Sequence, residues 1–71
     1  MPKRGERMKV NGEICTCEAE MTVQSLLEKR GHDPQRVAVE KNGQIVPRAR
    51  FAEEMLHEDD VIEIVQFVGG G

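Results

Sequence analysis

Apolar and polar positions alternate along MKVNGEICTC, residues 8–17. Asn11-Gly12 interrupts the alternation with two residues that tolerate positive φ, as a type I′ hairpin turn requires. A two-residue loop pairs Val10 with Glu13 and Met8 with Cys15. Met8, Val10, Cys15 and Cys17 then share one face, and Ile14 and Thr16 share the other. Glu13 is the one polar residue on the apolar side, at the turn. The period then lengthens. Val23, Leu26, Leu27 and the stem of Arg30 follow helical spacing. Thr22 is placed to cap a helix over 23–30, and Gly31 to end it in the left-handed region. Lys29 and Arg30 in its last turn suit the helix dipole. Asp33-Pro34 continues the break.

Alternation returns in RVAVEK, residues 36–41. Val37 and Val39 point one way, and Arg36, Ala38 and Glu40 the other. Asn42-Gly43 is a second turn signal. Residues 44–46 form a short strand that Pro47 stops or confines to an edge. Residues 50–56 are read as one helical turn, with Phe51 and Met55 or Leu56 turned inward. Val61 to Phe67 is nearly continuous in apolar character, which predicts a central strand.

The predicted order is hairpin, helix, strand pair, helical turn and final strand. One helix must bury its stripe against the sheet. A compact solution sets the first and last strands side by side with the helix across them. This is an α+β, β-grasp (ubiquitin-like) roll, a mixed sheet of four to five strands on one main helix. Residues 1–7 read as a flexible leader, 8–68 as the domain, and 69–71 as a flexible glycine tail.

A chain of 71 residues holds one domain at most. Its 38% apolar and 32% charged content fits a globular domain and not a disordered one. A net charge of −3 disfavours nucleic acid, whose backbone repels it. No apolar run is long enough to span a membrane. MPKRGERMKV has no apolar stretch after its charges and is not a signal peptide. A cytoplasmic location is the default.

Gly69-Gly70-Gly71 is the most unusual feature. One reading is a frayed terminus. The other is a reactive arm. Glycine has no Cβ, so such an arm can thread a narrow channel in a partner. Its tip offers one functional group, a carboxylate. That group resists nucleophiles until transfer of AMP from ATP makes a mixed anhydride. Sulfur can then attack the Gly71 carbonyl and leave a thiocarboxylate. ATP binding and acid–base groups must come from a partner enzyme, because no catalytic constellation is evident in the chain.

Cys15 and Cys17 supply two soft ligands where a closed zinc site needs four, so no metal site is expected. Two apart in a strand, they lie roughly 6–7 Å apart, near or beyond the disulfide limit. They read as a strand face, with a redox or sulfur-relay role as the alternative. His32 reads as an exposed loop residue. His57 lies in an acidic stretch with Glu53, Glu54, Glu58, Asp59 and Asp60. That stretch is a solvated face, or steers the chain toward a basic partner. Phe51 reads as core. Phe67 stands just before the tail, as core or as a docking ring, and Val65 and Val68 share the ambiguity. Arg48 and Arg50 read as solubilising or as ion-pair partners.

MKVNGE, TVQSLL, NGQIVPR and the terminal VGGG stand in the order and approximate spacing of the ThiS family, which residues 8–71 resemble. Ile45 to Arg48, followed by Phe51, is the more discriminating internal match. The resemblance implies a sulfur carrier for the thiazole ring of thiamine, itself a protein co-substrate and not an enzyme. Gly71 would be adenylated by a ThiF/E1-like adenylyltransferase and converted to a thiocarboxylate. Gly69 and Gly70 would occupy the partner channel. Thiazole synthase, ThiG, would receive the sulfur, and Phe67, Val68 and Val65 would dock on partners. ATP and a sulfur-donating enzyme would act through those partners, with no stably bound cofactor. The alternatives are a carrier for molybdopterin synthesis and a ubiquitin-like protein modifier.

Overall fold

The structure, a computed structural model, describes residues 6–68. Strands β1 (Arg7–Val10) and β2 (Glu13–Thr16) form the first hairpin. Helix α1 spans Val23–Lys29. Strands β3 (Val37–Lys41) and β4 (Gln44–Ile45) form the second hairpin, and β5 spans Val61–Gln66. Single 3₁₀ turns occupy Pro34–Arg36 and Arg48–Arg50. The five-stranded sheet has the order β2-β1-β5-β3-β4. β5 is its centre, parallel to β1 and antiparallel to β3. This is the β-grasp arrangement, with the last strand beside the first.

The hairpin register pairs Val10 with Glu13 and Met8 with Cys15, as the two-residue turn predicts. Asn11 and Gly12 have φ of 52° and 83°, and Asn42 and Gly43 have 53° and 83°. Both turns therefore sit in the left-handed region that this dipeptide tolerates. The asparagine side chains also reach the central strand. Asn11 Oδ1 accepts from the Ile64 N–H at 2.7 Å. Asn42 Oδ1 accepts from the Val61 N–H at 2.9 Å.

Thr22 caps α1. Its Oγ1 accepts from the Ser25 N–H at 3.1 Å, and Ser25 Oγ accepts from the Thr22 N–H at 2.8 Å. This reciprocal pair satisfies two N–H groups at the helix start. At the other end Gly31 has φ +77°. The His32 N–H reaches Leu27 O at 2.9 Å and the Gly31 N–H reaches Glu28 O at 3.1 Å. This is the Schellman closure.

Val23, Leu26 and Leu27 of α1 are buried with Met8 and Val10 of β1, Val37 and Val39 of β3, and Ile62 and Ile64 of β5. Met21, Val46, Phe51 and Leu56 complete this core. It lies between the helix and one face of the sheet.

Several sequence expectations shift. β1 begins at Arg7, one residue before the expected start. Arg36 belongs to a 3₁₀ turn and not to β3, because Asp33 caps that turn through the Gln35 N–H at 2.9 Å. The helical turn expected over 50–56 lies at Arg48–Arg50. Pro47 precedes it with φ −59°, a value that proline's ring fixes in advance. Phe51 and Leu56 are buried, whereas Met55 is exposed. His32 is half-buried, not exposed. β5 is central as expected, yet it alternates: Ile62 and Ile64 are buried, while Val61, Glu63 and Val65 are exposed.

Candidate functional site

Among the described residues, no element covers the side of the sheet opposite α1. Cross-strand neighbours share a face, so the register maps it. Ile14, Lys9 and Val61 form one row. Ile45, Glu40 and Glu63 form the next, and Ala38 with Val65 a third. Phe67 follows the end of β5. Exposure is 57% at Ile14, 74% at Ile45 and 56% at Val65. Phe67 is 53% exposed and Val68 93%. The open alternative therefore holds for Phe67, Val65 and Val68: none is core. A depression of about 320 Å³ lies at the other end of this face, bordered by Arg7, Lys9, Ile14, Asp59 and Val61.

Phe67 and Val68 extend beyond the end of β5. The Phe67 N–H donates to Arg36 O at 2.8 Å. It follows the last residue of β5, Gln66, which pairs with Val37. Gly69, Gly70 and Gly71 lie outside the described residues.

Arg48 has a structural task that composition does not reveal. Its Nε donates to Pro34 O at 2.8 Å, and Nη2 donates to Val37 O at 3.0 Å. The guanidinium fork ties the turn after Pro47 to the start of β3, beside the strand that leads to the tail. Arg50 makes the expected type of contact, 3.8 Å from Glu54.

The acidic stretch divides into two roles. Glu53, Glu58 and Asp59 are exposed. Asp60 is buried and structural. Its Oδ1 accepts from Asn42 Nδ2 at 3.0 Å, and its Oδ2 accepts from the His57 N–H at 2.7 Å. Beside it, Lys41 Nζ donates to Glu54 Oε2 at 2.8 Å and to Met55 O at 2.9 Å. The His57 ring stays exposed. No catalytic triad assembles here.

The Lys41 hydrogen bond holds the Glu54 carboxyl below its usual range. Burial opposes the shift, the Lys41 and Arg50 charges reinforce it, and Asp60 opposes it. A carboxylate with a lowered folded pKa stabilises the fold above its unfolded value, about 4.3. That stabilisation is lost as pH falls through the folded pKa. Glu54→Gln is therefore expected to flatten the fall of the thermal midpoint below about pH 4.3. Thermal melts of both proteins from neutral pH into acid check this, and parallel curves would remove Glu54 from the account.

Cys17 is buried and Cys15 half-buried. Burial chiefly pushes the Cys17 thiol up, and the Asp60 and Cys15 charges add to it. A raised thiol is a poor nucleophile at neutral pH. Among the described residues, no three His, Cys, Asp or Glu side chains converge as a metal-ligand group. No described helix is long and apolar enough to cross a membrane.

The described residues thus form a packed core with one open sheet face, and Phe67 and Val68 follow the central strand. Residues 8–71 match the model of the ThiS family. The chain belongs to the ThiS family. A crystal structure of the thiamine biosynthesis protein ThiS from Geobacter metallireducens superposes with a TM-score of 0.76 at 29% identity, covering 92% of this chain and 99% of that one. The sulfur carrier protein ThiS of Bacillus subtilis is 46% identical over 50 residues, 70% of this chain and 76% of the relative. A thiazole synthase of Paramagnetospirillum magneticum is 43% identical over 65 residues, 92% of this chain. This chain spans only 20% of that thiazole synthase's length.

Proposed function

We propose that the chain carries sulfur as a thiocarboxylate on Gly71. A ThiF/E1-like partner transfers AMP from ATP to the Gly71 carboxylate and releases pyrophosphate. Sulfide-level sulfur supplied by a sulfur-donating enzyme then attacks the acyl carbon, the acyl–oxygen bond to AMP breaks, AMP leaves, and the thiocarboxylate remains. The charged carrier delivers this sulfur to a ThiG-like thiazole synthase for the thiazole ring. A segment of 43% identity within chains named thiazole synthase supports that last partner.

The observation that carries this reading is the anchoring of Phe67 just beyond the central strand. β5 is the central strand, and Phe67 is held to Arg36 by a backbone hydrogen bond. Three residues beyond Val68 extend at most about 11 Å. A partner on the open face would find the carboxylate within a small volume, and glycines would let it enter a narrow channel. Phe67, Val68 and Val65 would serve as the docking residues nearest that channel. Gly69 and Gly70 would line it.

Intact mass tests the reading. The chain is incubated with ATP, an activating enzyme and a sulfur donor. Replacing the terminal OH by SH adds about 16 Da, the sulfur–oxygen difference expected of such an acyl substitution. No gain, under conditions that charge the Bacillus subtilis carrier, would overturn it. Thiazole formation by the charged product then separates this role from molybdopterin synthesis. Attachment to lysine would instead mark a protein modifier.

A further inference from the structure

β4 ends at Ile45, and beyond it the Val46 N–H donates to Val39 O at 2.9 Å. Pro47 follows and has no N–H to give. Successive carbonyls of a strand point to opposite sides, so Val37 O is the next acceptor on the side that β4 has left. Arg48 takes that place. Its Nη2 donates to Val37 O at 3.0 Å, and its Nε donates to Pro34 O at 2.8 Å. Between these carbonyls in the chain stands Arg36 O, which accepts from the Phe67 N–H at 2.8 Å. That bond lies one step beyond the Val37–Gln66 pair. Arg48 makes no ion pair among the described residues. Its fork is given to the two carbonyls that bracket the anchor of Phe67.

We infer that Arg48 is a positioning residue for adenylation: by holding Pro34 O and Val37 O, its guanidinium fork fixes the Arg36 carbonyl that anchors Phe67, and so limits where the terminal carboxylate can be presented. The inference rests on the carrier reading above. Arg36 ends a single 3₁₀ turn just before β3. A planar fork on two carbonyls restrains both at once, and a charged donor binds them more strongly than a neutral one. Without the fork, the turn keeps the contacts of Asp33 to the Gln35 and Arg36 N–H groups. The Phe67 bond then opens readily, and the last anchor moves back to Val65, paired with Ala38. Gly71 is four residues beyond Phe67 and six beyond Val65. The longest reach from the anchor thus grows from about 14 Å to about 21 Å. The volume within reach grows about threefold, and the effective concentration of the carboxylate at a partner's site falls by that factor.

The test uses the full chain and Arg48→Met, which keeps the aliphatic stem and removes the fork. In amide hydrogen exchange, Phe67 is expected to exchange at least about threefold faster in the variant. Leu26 and Asn11, whose N–H groups bond to Thr22 O and Ile62 O, are expected to keep their native rates. In carrier-dependent ATP–pyrophosphate exchange by the activating enzyme, kcat is expected to fall at least about threefold, with KM for the carrier within about twofold. Arg48→Lys keeps the charge without the planar fork and is expected to retain the defect. An ester in place of the Gln66–Phe67 amide removes the N–H itself. In that chain Arg48→Met is expected to lower kcat no further, because both changes break one tie. A native Phe67 amide that exchanges like an unbonded one would overturn the inference. So would a lysine variant equal to the native chain, a raised KM at unchanged kcat, or losses that add in the ester chain. Faster exchange at all three amides, with native kcat per folded molecule, would leave Arg48 a purely structural role. Each of these outcomes leaves the carrier reading intact, since the native chain is still adenylated. Failure of the native chain to be adenylated at all would sink that reading instead.

Discussion

Deleting Gly71 is expected to abolish charging, with a loss of at least about a thousandfold in the rate of adenylation, while the body remains folded. The deletion moves the carboxylate proposed to react back by one residue, about 3.5 Å. A misplacement of 1 Å at a reacting centre can cost about a hundredfold, so a full residue should remove the carboxylate from reach of the α-phosphate. The packed core ends at Ile64, and the last described backbone tie is at Phe67. That core is built from residues 8–64. Thermal melts should therefore coincide for the two proteins. Intact mass after incubation with ATP, activating enzyme and sulfur donor should show the gain for the native chain alone. Equal charging of both would end the proposal that Gly71 carries the sulfur.

The contrast with the fold shows what the sequence makes visible. Asn-Gly dipeptides announce both hairpins because their backbone requirement is local. Thr22 and Gly31 mark the helix ends for the same reason. What stayed hidden depends on distance in the chain. Asn11 bonds to Ile64, 53 residues away. Asn42 bonds to Val61 and Asp60, and Arg48 bonds to Pro34 and Val37. Those asparagines look fully explained by their turns, and that arginine looks like a surface charge. Only the strand order reveals their partners. Asp60 illustrates the same limit: five acidic neighbours within eight positions resemble a solvated face until one of them is found buried under Asn42.

The candidate site was legible in a different way. The glycine tail is plain in the residue types, and the sulfur chemistry proposed for it comes from them and from the resemblance of IVPR and VGGG to the family. The open face was legible only as one of two readings. Val65 and Phe67 lie in an apolar run that suits either a core or an exposed face beside the tail. Among the described residues one sheet face has no covering element, and this leaves alternate members of that run exposed. The tie between Phe67 and Arg36 was hidden, because the two meet only through the β3–β5 register.

That alternation makes the second large prediction. Ile62 is fully buried in the central strand, whereas Val65 points from the open face of the same strand. Ile62→Ala is expected to cost about 2–5 kcal/mol, from lost transfer energy and the cavity left between sheet and helix. A domain of this size has roughly 4–11 kcal/mol of stability in total, so the variant should lose about half of it. Val65→Asp removes no core volume and should cost at most about 1 kcal/mol. It places a charge on the open face proposed to dock, so its charging should fall by at least about tenfold. Urea denaturation curves and charging assays at a temperature where both variants are folded separate the two effects. Ile62→Ala should lower the denaturation midpoint and be charged normally per folded molecule. Val65→Asp should do the reverse. If both variants lost stability alike, β5 would not have the one-sided burial described. If Val65→Asp were charged as fast as the native chain, the open face would have no part in presenting the tail.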